Sequence, residues 1–119
     1  MGRPVVHWEL WSEDPERVAG FYERVFDWGI RHLEGMNYRV VDTGGEGGIG
    51  GGIMKPQAGP WPGTMTFYIS VDDIDAYIQR IRDAGGSVVV EKTEVPGVGE
   101  MALFEDPDGR VLGLWKQKE

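Results

Sequence analysis

"PVVHWELWSEDPERVAGFYERVFDWG", residues 4–29, changes its period halfway, and that change decides the fold. Over 4–11, Val6, Trp8 and Leu10 fall on one side of an extended chain and Val5, His7, Glu9 and Trp11 on the other, as in a half-buried strand. From Asp14 the period is helical. Asp14 is placed to cap and Pro15 suits a first helical position, where its missing N–H costs nothing. Glu16 lies in the first turn, and Val18, Phe21, Tyr22, Val25 and Phe26 recur at helical spacing. Gly29 is the expected stop. The same strand-then-capped-helix pattern returns at 64–86, "TMTFYISVDDIDAYIQRIRDAGG". There Met65, Phe67, Ile69 and Val71 alternate with Thr64, Thr66, Tyr68 and Ser70, and Asp73 precedes the stripe Ile74, Ile78, Ile81 and the stop Gly85–Gly86. Setting Asp14 on Asp73 gives an internal offset of 59 residues and places His7 opposite Thr66.

The remaining chain fills both repeats. Strands are expected at 36–43, 87–91, 100–105 and 110–116, with "DPDG" (106–109) as a turn. The stretch "KPQAGPWPG" (55–63) holds three of the seven prolines and reads as a connector, with Trp61 at a junction between modules or subunits. The expected fold is a single α+β domain over 1–119, made of module 1 (about 4–54), the connector 55–63 and module 2 (about 64–116). Each is a βαβββ unit whose sheet is covered on one face by its helix and open on the other.

Between the first module's strands lies "GGEGGIGGG" (44–52). A phosphate-binding loop would end in lysine and a hydroxyl residue and open a helix, whereas this run leads into Ile53, Met54, Lys55 and Pro56. Gly44–Gly48 therefore reads as a hairpin turn. Gly50–Gly52 reads as a glycine strand that either lines a cavity, letting a ligand come close, or eases a contact between modules or subunits.

Composition narrows the partners. With 40% apolar and 11% aromatic residues the chain can build a core. A net charge of −8 and a pI near 4.7, with no basic run, exclude nucleic acid and anionic membrane as partners. The absence of cysteine removes disulfides, thiolate metal sites and a cysteine nucleophile, and fits a cytoplasmic setting. The N-terminal "MGRPVVHWELW" has no apolar signal core, so the chain reads as soluble and unprocessed.

"VVHWELW", "DPERVAGFYERVFDWG", "ISVDDIDAYIQRIRDAGG" and "FEDPDGRVLGLW", in that order and at these spacings, resemble the vicinal oxygen chelate superfamily, which includes glyoxalase I, bleomycin-resistance proteins and extradiol dioxygenases. The resemblance implies paired βαβββ modules forming a cup, commonly in a homodimer. In the catalytic branches it also implies a divalent metal held by His and Glu. Its first ligand position, seven residues before the helix cap, is His7 here. The second falls on Thr66, a poor ligand, and the third, four residues after the turn glycine, on Gly113. The fourth should come from "GIGGGIM", which offers no ligating side chain.

One ligand out of four implies a small-molecule-binding protein of glyoxalase/bleomycin-resistance type without a complete metal site and with no cofactor. The rival is a metal-dependent glyoxalase-like lyase or isomerase, or a dioxygenase, in which His7 and Glu9 hold a divalent ion with unconventional partners. The pocket candidates are His7, Glu9, Trp11, Tyr38, Gly51, Thr66, Tyr68, Ser70, Gly113 and Trp115. They combine aromatic walls with a few polar groups, as ligand pockets do. The expected ligand is small and aromatic or amphipathic, and the missing side chains at Gly50–Gly52 and Gly113 are expected to leave space for it.

Overall fold

The computed structural model describes residues 2–56 and 63–119; most of the connector, Trp61 included, lies outside the described residues. The chain forms two compact units.

The first, His7–Thr66, contains most of β1 (Val5–Trp11), then α1 (Pro15–Phe26), β2 (Gly29–His32), β3 (Tyr38–Asp42) and β4 (Gly51–Met54). Its strand order is β2-β3-β4-β1, with β1 and β4 parallel and the other pairs antiparallel. Asp14 caps α1 as expected, its carboxylate accepting the Arg17 N–H at 3.2 Å. The helix ends before Gly29, because Asp27 takes the left-handed conformation (φ 60°) that a short polar residue tolerates, and its N–H reaches the Glu23 carbonyl. That frees Gly29 to open β2, a strand the sequence does not signal, since "GIRH" offers one large apolar residue and no alternation. One face of the sheet packs on α1 through Ala19, Val41 and Ile53, joined by Trp8, Leu10, Val18, Trp28 and Ile30. Phe21, Val25 and Phe26 of the same helix stand exposed.

The second unit takes Phe67–Glu119 together with the residues before His7. It comprises the rest of β5 (Met65–Ser70), then α2 (Ile74–Asp83), β6 (Ser87–Val95), β7 (Gly99–Glu105) and β8 (Val111–Gln117). The order β5-β8-β7-β6, with β5 and β8 parallel, repeats that of the first unit and bears out the internal duplication. Asp73 caps α2 through the Ala76 N–H at 3.1 Å. Val71, Ile74, Ile78, Ala102, Phe104 and Leu114 form the core between helix and sheet.

Two boundaries differ from the sequence reading. The N-terminal residues join this unit rather than the first: the Ser70 N–H donates to the Pro4 carbonyl at 2.9 Å, and Arg3 Nε donates to the Tyr77 hydroxyl at 2.7 Å. The strand read as 87–91 continues to Val95, because an edge strand can carry the exposed Glu91, Lys92 and Glu94 along its open side, where charge also discourages edge-to-edge pairing. Met65 and Phe67, on the same side of β5 as Ile69, are exposed, and packing on the α2 side of β5 begins at Ile69.

Candidate functional site

On the face of the first unit's sheet opposite α1, four sequence-selected residues form one hydrogen-bonded chain. Trp11 Nε1–H donates to Glu9 Oε1 at 2.9 Å, and the Tyr38 hydroxyl donates to Glu9 Oε2 at 2.9 Å. His7 Nε2 lies 2.7 Å from the Tyr38 oxygen. Since the phenol proton is committed to Glu9, His7 Nε2–H is the donor in that last bond. Alternation along β1 puts His7, Glu9 and Trp11 on one side, and the β3–β4 register sets Tyr38 opposite Met54 beside them. Glu9 is 7% exposed, with both oxygens engaged, while His7 and Tyr38 are half-buried.

The imidazole and phenol rings are nearly parallel, at 16° with centroids 6.5 Å apart. Joined edge to edge by the short bond, they present one extended flat surface.

Burial pushes the His7 imidazole below its ordinary value, and the Glu9 carboxylate pulls it partly back. A depressed histidine binds fewer protons folded than unfolded in the window just below about 6.5, so folding stability is full above that pH and falls as pH drops through the window. The denaturant midpoint is therefore expected to decline less between pH 7.5 and 5.5 in His7→Gln than in the parent. Parallel profiles would mean that His7 is not buried as neutral imidazole.

The glycines are the largest departure from the sequence reading. A Cβ on Gly52 would lie 1.9 Å from the Tyr38 oxygen, and one on Gly113 would lie 2.2 Å from the ring of Tyr68. Gly51 is on the other face, where a Cβ would meet the Trp8 indole at 2.2 Å on the side packed against α1. The expectation that Gly51 lines a pocket, and that missing side chains at Gly51, Gly52 and Gly113 leave open space, is therefore corrected. An aromatic side chain fills each position. The two open-face glycines are also repeat-equivalent, Gly52 opposite Glu9 and Gly113 opposite Tyr68 in the two parallel strand pairs. That pairing, legible only once the strands are aligned, was the signal that could have brought Gly52 into the candidate set.

Of the other candidates, Thr66 lies in the first unit and is buried, at 6% exposure. Tyr68, Ser70, Gly113 and Trp115 belong to the second, where the register pairs Tyr68 with Gly113 and Ser70 with Trp115. Tyr68 is buried, and the Trp115 indole N–H donates to Gln117 Oε1 at 3.0 Å.

The chain belongs to the glyoxalase/bleomycin resistance protein/dioxygenase superfamily, whose sequence model matches residues 5–114. Among its relatives is the mycobacterial protein CFP32 of Mycobacterium tuberculosis, provisionally named a glyoxylase, which is 34% identical over 113 residues. That match covers 91% of this chain and 42% of the relative, so the chain spans less than half the length of this curated relative. The anthracycline biosynthesis protein DnrV of Streptomyces peucetius is 39% identical over 56 residues, 47% of this chain and 20% of that protein. Two solved structures share the fold. A superfamily member from Vibrio splendidus has a TM-score of 0.68 at 16% identity, covering 97% of this chain and 99% of its own. Methylmalonyl-CoA epimerase from Mycobacterium tuberculosis has a TM-score of 0.63 at 16% identity, covering 99% and 89%.

In its catalytic branches the family resemblance implies a divalent metal held by His and Glu. Among the described residues no three His, Cys, Asp or Glu side chains converge. The carboxylate that the family places on the last strand falls on Gly113, beneath Tyr68, and the equivalent Gly52 lies beneath the Tyr38 hydroxyl. Within the described residues no helix is long and apolar enough to cross a membrane.

Proposed function

We propose that this chain is a metal-free, small-molecule-binding member of the superfamily, and that its ligand rests on the His7–Tyr38–Glu9–Trp11 face. The observation that carries this reading is steric. Two equivalent positions that would have to supply carboxylates hold glycine, and tyrosines stand where the side chains would be. What is left is a half-buried pair of flat rings backed by a hydrogen-bonded carboxylate, a set that recognises shape and polarity in an organic ligand. The aromatic character agrees with a relative named for anthracycline biosynthesis. The reading includes a homodimer, as family members often form, and a cytoplasmic setting, which suits a chain without cysteine.

One purified, dialysed sample tests it. Elemental analysis is expected to find well under one equivalent of transition metal, and light scattering a mass near twice the 13.3 kDa of the chain. Stoichiometric Zn, Ni, Fe or Mn that is lost in His7→Ala would replace this reading with the metalloenzyme. A mass near 13.3 kDa would remove the dimer while leaving the binding face.

A further inference from the structure

We infer that the ligand of this face is a planar aromatic cation; the inference rests on the binding reading above and names its chemical class. Three observations converge. The coupled His7 and Tyr38 rings, 16° from parallel and bonded edge to edge at 2.7 Å, offer a flat surface wider than a single side chain. Such a surface favours a fused planar ring system over a branched aliphatic one. Next, Glu9 lies against the hydroxyl end of the phenol with both oxygens accepting, from Trp11 Nε1–H and Tyr38 O–H. At 7% exposure its charge is weakly screened, so a cation stacked on Tyr38 is attracted both by the ring's quadrupole and by a carboxylate one hydrogen bond away. Last, the chain as a whole carries a net charge of −8, which raises the local concentration of cations and lowers that of anions.

An oxyanion-bearing ligand, the kind a bound divalent ion would attract, is disfavoured here for the same reasons. The buried carboxylate repels it, and the Tyr38 proton that could bond it is already donated to Glu9.

Three probes of one shape and different charge decide the matter by calorimetry at pH 7.5: N-methylquinolinium, quinoline, which is neutral at that pH, and 2-naphthoate. The cation is expected to bind at least about tenfold more tightly than quinoline and the anion more weakly still, a tenfold ratio being about 1.4 kcal/mol. Glu9→Gln, which keeps the shape and removes the charge, is expected to bring cation and neutral probe within about threefold of each other, and Tyr38→Ala to weaken both. If Glu9→Gln fails to fold, the ranking of the three probes on the parent protein still decides. Equal binding of quinoline and N-methylquinolinium, or tighter binding of naphthoate, overturns the cation assignment while leaving the binding face intact. Failure of all three probes to bind at millimolar concentration overturns the cation assignment and counts against the binding face itself. Tight binding that survives Tyr38→Ala moves the site elsewhere and refutes both.

Discussion

Gly113→Glu loses about 4 kcal/mol of folding stability and gains no metal, because the new side chain must displace a buried tyrosine ring and place a carboxylate where that ring lies. The position is buried on β8, directly opposite Tyr68 in the parallel register, with only 2.2 Å between an added Cβ and the ring. Contacts that short do not occur, so ring or backbone must move. The clash is with one edge of the ring, Cδ2 and Cε2, in a buried side chain with little room to swing aside. Gly113→Ala, lacking the charge, is expected to lose about 2 kcal/mol. The mechanism is tested by a double-mutant cycle: with Tyr68→Ala in place the cost of Gly113→Ala should shrink by more than about 1 kcal/mol, because the obstructing ring is gone. Denaturant unfolding supplies the free energies, and equilibrium dialysis against zinc the metal content. A Gly113→Ala protein as stable as its parent would show that Tyr68 readily leaves the position, and zinc uptake by Gly113→Glu would show that the metal site needs only its missing carboxylate.

Ile53→Ala is expected to cost about 3 kcal/mol, and Val25→Ala, on the helix above it, less than about 0.5. Ile53 is fully buried between β4 and α1, packed with Val41 and Ala19, so truncation leaves a cavity that rigid strand backbones cannot close. Val25 is 53% exposed and loses little when shortened. Urea unfolding with unchanged slope gives both numbers. The reverse order would mean that α1 is rotated and that Phe21, Val25 and Phe26 face the core.

The open-face chain of His7, Tyr38, Glu9 and Trp11 shows how differently the two kinds of information behave. Strict alternation along 4–11 places His7, Glu9 and Trp11 together, because side-chain direction in a strand is a property of the backbone and needs no partner. Tyr38 could be proposed only as an additional wall. Its hydroxyl reaches Glu9 because β4, four residues long, holds β1 and β3 in fixed registers on its two sides, and register between strands is not written in either strand alone.

The glycines carry the same lesson with the opposite outcome. The sequence leaves Gly50–Gly52 as either cavity lining or an eased contact and Gly113 as space, since a missing side chain is visible in a sequence and the group that fills its place is not. Trp8, Tyr38 and Tyr68 come from neighbouring strands of the sheet, and only strand pairing sets them over Gly51, Gly52 and Gly113. The α+β class, the duplication and both helix caps needed only the amino-acid order, because periodicity, capping and turn chemistry act over a few residues. The filled glycines and the N-terminal residues' attachment to the second unit belong to tertiary structure. Both depend on which strands and segments are brought together, where packing overrides local preference.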